Sequence, residues 1–145
     1  KRAILLSTAG RGSASEFNFL TRGRAEEVIR KNLERSVPKE VSSKQPERFN
    51  GLVEKVIENR PSGRAFNWQL DAAKRFDASK ETQGITCPTL IVHGDRDESI
   101  GINAARELAS GINNSQLVIL KGAGHLPHFE CPEALADLIR RFMLG

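Results

Sequence analysis

The stretch Cys87-Pro88-Thr89-Leu90-Ile91-Val92-His93-Gly94-Asp95-Arg96-Asp97 decides the fold. Its apolar run has no polar alternation, which suits a strand covered on both faces, as in a parallel sheet. Pro88 fits a strand's first position, and Gly94 turns the chain. Downstream, the spacing predicts a helix over Ile102 to Ser110 with Gly111 just past its end. Gln116 to Leu120 reads as the next strand, and Gly122-Ala123-Gly124 as a tight loop. Pro132 then opens a last helix that buries Leu135, Leu138, Ile139 and Phe142. Strand, helix, strand, helix at this spacing means an α/β protein with a parallel sheet and right-handed crossovers.

Upstream, Ala3-Ile4-Leu5-Leu6 is a second unbroken apolar run, followed by a loop over Arg11 to Ser15. Residues 16–82 are helical in pattern. Ala25, Val28, Ile29 and Leu33 share one helical face, and Pro38 closes that region. Phe49, Leu52, Val53, Val56 and Ile57 form the clearest amphipathic stripe, with Pro46 near its helix start. Pro61-Ser62-Gly63 breaks it, with Ser62 as N-cap of a third helix carrying Phe66, Leu70 and Ala73. Phe66, Trp68 and Phe76 read as core of this helical region.

In a parallel sheet the loops leaving the strands collect at one edge, where ligands and reactive groups sit. Asp97 lies in the loop leaving the first strand of the pair, and His125 in the loop leaving the second. One crossover separates them, and neighbouring strands lie about 4.8 Å apart. The two side chains are therefore expected to meet. A carboxylate there fixes the imidazole tautomer and stabilises the imidazolium formed when the ring takes a proton. Gly122 and Gly124 are expected to adopt positive φ and expose the imidazole.

These residues carry a resemblance. Residues 87–97, followed by Gly122-Ala123-Gly124-His125-Leu126-Pro127-His128-Phe129-Glu130, resemble the C-terminal part of the α/β-hydrolase fold family. The resemblance implies that Asp97 is the triad acid and His125 the triad base. It implies a division into a core strand and loop (1–15), an inserted helical lid (16–82) and a C-terminal core (83–145). Among subfamilies the chain most resembles an esterase and enol-lactonase-like group. Ile100 stands where the family often has proline. The nucleophile elbow Gly-x-Ser-x-Gly does not occur; Gly10-Arg11-Gly12-Ser13-Ala14 comes nearest, after the wrong strand. Since the family's chain order is nucleophile, acid, base, the nucleophile and oxyanion loop are expected upstream of Lys1. That the chain starts on Lys1 rather than Met reads as a cut N-terminus. The implied activity is hydrolysis of a small carboxylic ester or lactone, with no cofactor. The alternatives are a non-catalytic small-molecule-binding member of the fold, or dehalogenase, C–C hydrolase or cofactor-free peroxidase chemistry on the same scaffold.

Neighbouring groups have rival readings. Asp95 and Glu98 replace Asp97 if the loop register differs, although Asp95-Arg96 reads as a loop-bracing pair. A metal set of His125, His128 and Glu130 is disfavoured because Pro127 opposes the helix that would align them, so no metal is expected. His128 is expected to pack or hydrogen-bond locally; His93 reads as structural, with a place near the rim of the site as the alternative. Ser7, Ser13 and Ser15 read as strand-end and loop polar residues.

Composition sets the outer bounds. The 145 residues carry 39% hydrophobic and 28% charged side chains, ordinary for a soluble globular protein. No apolar stretch approaches membrane-spanning length. The net charge of +4 comes from residues 10–82, with 15 basic against 11 acidic side chains. No block of five like charges and no basic-aromatic platform is present, so neither nucleic acid nor membrane is expected as a partner. The expected partner is a small-molecule substrate. Cys87 and Cys131 match no metal or redox spacing and suit reduced residues of a cytoplasmic protein.

Overall fold

A computed structural model describes residues 1–12 and 22–145. Three strands form one sheet in the order β1 (Ala3–Leu6), β2 (Thr89–Gly94), β3 (Ser115–Leu120). All pairings are parallel. Leu6 lies opposite Val92, and Val92 opposite Val118. Helices α1 (Ala25–Ser36), α2 (Lys39–Lys44), α3 (Pro46–Glu58) and α4 (Gly63–Arg75) follow β1, then a 3-10 turn at Glu81–Gly84. Helix α5 (Ile102–Gly111) links β2 to β3, and α6 (Pro127–Glu130) and α7 (Pro132–Leu144) end the chain.

The unbroken apolar run in β2 has a simple cause. Alternate residues of a strand point to opposite faces, and here a helix covers each face. Ile91 packs with Ala105, Leu108 and Ile112 of α5, joined by Leu5 and Leu117. Leu90 and Val92 pack with Leu135 of α7, joined by Ile4, Leu6 and Val118. Leu90, Ile91 and Val92 are fully buried, each contributing about 1.5–3 kcal/mol of transfer free energy. As expected, Leu138, Ile139 and Phe142 complete the α7 face.

The helical region builds its own core. Val37, Phe49 and Val53 are buried together, with Leu33, Val41 and Ile57 packed around them. Leu126 and Phe129, from the far end of the chain, pack into the same cluster. Ser62 caps α4 by accepting a hydrogen bond from Ala65 N–H, as its position implied. The chain leaves and rejoins the core at one place: Arg11 and Asp77 form an antiparallel bridge, with Gly12 N–H donating to Phe76 and Ala78 N–H to Gly10.

Some expectations need correcting. Trp68 and Phe76 are exposed, not core, while Leu70 is the buried residue of α4. Helical spacing sets a shared face but not whether anything covers it. Helix α2 and the 3-10 turn were not expected. Gly111 is the last residue of α5 rather than the residue beyond it. Ser13 and Ser15 lie outside the described residues. Among the described residues, no helix is long and apolar enough to cross a membrane.

Candidate active site at the carboxyl edge of the sheet

The register aligns the ends of β2 and β3, with Gly94 opposite Leu120. The two following loops then run against each other. Asp95 N–H donates to Leu120, Arg96 N–H donates to Ala123, and Gly122 N–H donates to an Asp95 carboxylate oxygen at 2.6 Å. The contact explains Gly94. A Cβ there would stand 2.2 Å from the Ala123 carbonyl oxygen and 2.3 Å from that of Gly124.

Asp97 is held from both sides. Its Oδ1 accepts from the backbone N–H of Ser99 at 2.8 Å and of Ile100 at 2.9 Å. Its Oδ2 lies 2.8 Å from His125 Nδ1. The Asp97 side chain is fully buried and the His125 ring is 20% exposed. A carboxylate oxygen accepts, so Nδ1 donates, and the neutral ring carries its lone pair on Nε2. Nε2 has no hydrogen-bond partner among the described residues. The pair is thus arranged to take up a proton at Nε2 while Asp97 stabilises the resulting imidazolium.

A family model of the alpha/beta hydrolase fold matches residues 11–132. The chain belongs to the α/β-hydrolase fold family. Two curated proteins are similar in sequence. The AB hydrolase superfamily protein YisY of Bacillus subtilis is 39% identical over 71 residues, 49% of this chain and 26% of that protein. A pimeloyl-[acyl-carrier protein] methyl ester esterase of Neisseria meningitidis is 36% identical over 81 residues, 56% of this chain and 32% of that protein. The enol-lactonase of Burkholderia xenovorans LB400 superposes over 100% of this chain and 56% of its own, with a TM-score of 0.84 at 22% identity. The chain therefore spans about half of that structure, and its matched stretches span less than a third of the two curated relatives.

Within this hydrolase-fold chain the rival residues separate cleanly. Asp95 binds the Gly122 backbone and Glu98 is exposed, so of the three acidic residues Asp97 alone contacts His125. Arg96 does brace the loop, but its partner is Glu40 on α2 at 3.1 Å rather than Asp95. The Glu40 carboxyl is held below its ordinary range, first by a backbone hydrogen bond within Glu40 and then by the Arg96 guanidinium. Both side chains are over half exposed, so the pair contributes little stability. Between α1, α2 and the acid loop, the stretch after β2 that carries Asp97, lies a cleft of about 890 Å³, lined by Arg35, Pro38, Glu40, Arg96 and Asp97 among others.

The base loop, the stretch after β3 that carries His125, shows devices that the sequence did not reveal. Glu130 accepts from Gly124 N–H at 2.6 Å with one oxygen and from Leu126 N–H at 2.8 Å with the other. It thereby clamps the residues on either side of His125. The Glu at the fifth position after His125 was the one available signal. His125 N–H donates to Ser36 C=O at 2.7 Å, and the Ser36 and Ser99 hydroxyls lie 3.0 Å apart. The end of α1 thus touches both the acid and base loops. Gly122 has φ +79°, as expected. Gly124 does not use positive φ; it leaves room for Ser36, whose carbonyl oxygen would lie 2.7 Å from an added Cβ. Pro127 does not prevent a helix but opens α6 at its first turn, where no N–H is needed. His128 is exposed rather than packed, and the described residues contain no metal-binding cluster.

Proposed function

We propose that Asp97 and His125 are the acid and base of a nucleophile–His–Asp triad that hydrolyses a small carboxylic ester or lactone. The observation that carries this reading is the 2.8 Å contact between a buried Asp97 carboxylate and a partly exposed His125 imidazole. The nucleophile attacks the substrate carbonyl while His125 Nε2 takes its proton. His125 then gives that proton to the departing alkoxide, leaving an acyl-enzyme. In the second half, Nε2 takes a proton from water, whose oxygen attacks the acyl carbon, and returns the proton to the nucleophile. In this reading the nucleophile comes from a segment preceding Lys1, because residues 1–145 encode no nucleophile elbow.

The ester or lactone class is supported by the names of the relatives, a methyl ester esterase and an enol-lactonase. Residues 16–82 are read as a lid over the site. The paired exit and return at Arg11 and Asp77, and the seating of Leu126 and Phe129 in its core, support that. The free thiols of Cys87 and Cys131 fit a reducing, cytoplasmic setting.

The test is turnover of a p-nitrophenyl acyl ester and a simple lactone by the protein with any flanking segments in place. Asp97→Asn is expected to lower kcat by about 10⁴-fold, and His125→Ala by at least as much. Activity retained within tenfold in both variants overturns the acid–base assignment. Robust turnover by residues 1–145 alone, abolished by His125→Ala, overturns the upstream nucleophile. Binding of ester without turnover favours a non-catalytic receptor instead.

A further inference from the structure

The proposed triad leaves one fully buried titratable group unused. His93, the residue of β2 just before Gly94, is 0% exposed and points to the α5 face of the sheet. Its Nε2 lies 3.0 Å from the Ile100 carbonyl oxygen and 3.4 Å from Asp97 Oδ2. Both neighbours can only accept when Asp97 is ionised, so Nε2 carries the hydrogen. Nδ1 is buried and has no partner among the described residues. A second proton there would have no acceptor, so the neutral Nε2–H tautomer is the form this site accommodates.

We propose that His93 is a positioning residue for the acid. Its Nε2–H donates to the Ile100 carbonyl and lies against Asp97 Oδ2, and so keeps the carboxylate facing His125. The same peptide segment is held from both directions. Ile100 N–H donates to Asp97 Oδ1 while Ile100 C=O accepts from His93. Rotation of the carboxylate away from His125 would carry Oδ2 out of its place beside His93 and disturb the two backbone bonds to Oδ1. Of the charged groups, Asp97 alone is within ion-pair distance of His93 among the described residues. A histidine with one nitrogen on the acid loop and the other unpartnered calls for a reason beyond packing.

This inference rests on the acid–base reading of Asp97 and His125. Its test compares His93→Phe, which keeps the ring volume without an N–H, with His93→Gln, which can restore a donor. Assays use p-nitrophenyl ester turnover by the protein with any flanking segments in place. His93→Phe is expected to lower kcat by about tenfold with KM changed less than twofold, and His93→Gln to recover part of that loss. A kcat for His93→Phe within twofold of the parent overturns the proposal. Asp97→Asn in the same assay separates the two readings. If it leaves turnover intact, the acid assignment itself fails. If it abolishes turnover while His93→Phe does not, only the positioning role fails. Should His93→Phe not fold, ¹⁵N NMR of the unmodified protein decides. A protonated Nε2 and bare Nδ1 at His93 support the proposal, and the opposite tautomer or a doubly protonated ring overturns it.

Discussion

Replacing Glu130 tests how the base loop is held. Its two carboxylate oxygens accept from the backbone N–H groups of Gly124 and Leu126, at 2.6 and 2.8 Å. Both donors are in a part-buried setting, so Glu130→Ala leaves two N–H groups without their acceptor. Hydrogen bonds to a charged acceptor contribute about 1.5–3 kcal/mol each, less where water can substitute. The expected loss is about 2–4 kcal/mol for Glu130→Ala and about 1–2 kcal/mol for Glu130→Gln, which keeps one oxygen acceptor. With an m-value of about 2 kcal/mol per M, the urea midpoint for Glu130→Ala falls by about 1–2 M. His125 sits between the two clamped residues, so ester turnover should fall in the same order, through kcat more than KM. A displacement of about 1 Å at the base suffices for about a hundredfold loss. If both variants keep their unfolding free energy within about 0.5 kcal/mol of the parent, half the least loss expected for Glu130→Gln, and their kcat within twofold, the clamp is refuted.

Three further outcomes are expected. Gly94→Ala forces a Cβ against the Ala123 and Gly124 carbonyls, which it would meet at 2.2 and 2.3 Å. It should cost about 2–4 kcal/mol by denaturation and weaken the Asp97–His125 contact, seen as a shift of the His125 ring resonances. Phe49→Ala opens the cluster that also seats Leu126 and Phe129, and should cost about 3–5 kcal/mol, with perturbed NMR signals in the base loop. The Cys131 thiol is pushed above its ordinary range, first by burial and then by Glu130 and Glu133. Since the thiolate is the reactive form, alkylation by iodoacetamide should rise at higher pH than for a free cysteine peptide, and Glu133→Gln should move that rise to lower pH.

The sequence by itself determined the parallel α/β core. An apolar run with no alternation means a strand covered on both faces, and β2 with α5 and α7 has that arrangement. It also determined that Asp97 and His125 share an edge, because one crossover returns the chain to the same side of a parallel sheet. Proline and serine at helix starts, as at Pro46 and Ser62, were legible because capping is a local matter.

Contacts between residues far apart in the chain were decided by the tertiary structure. Sequence left Asp95, Asp97 and Glu98 as rivals; the hydrogen bond of Asp95 to Gly122 and of Asp97 to His125 separated them. The burial of His93 against the acid loop and the link from Ser36 to both loops depend on packing between distant segments. So does the exposure of Trp68 and Phe76, since periodicity defines a helix face without naming what lies against it. The physical reason is common to all of these. Local spacing governs backbone hydrogen bonding and side-chain direction, whereas the distance between two loops is fixed only when the strands beneath them pair in register.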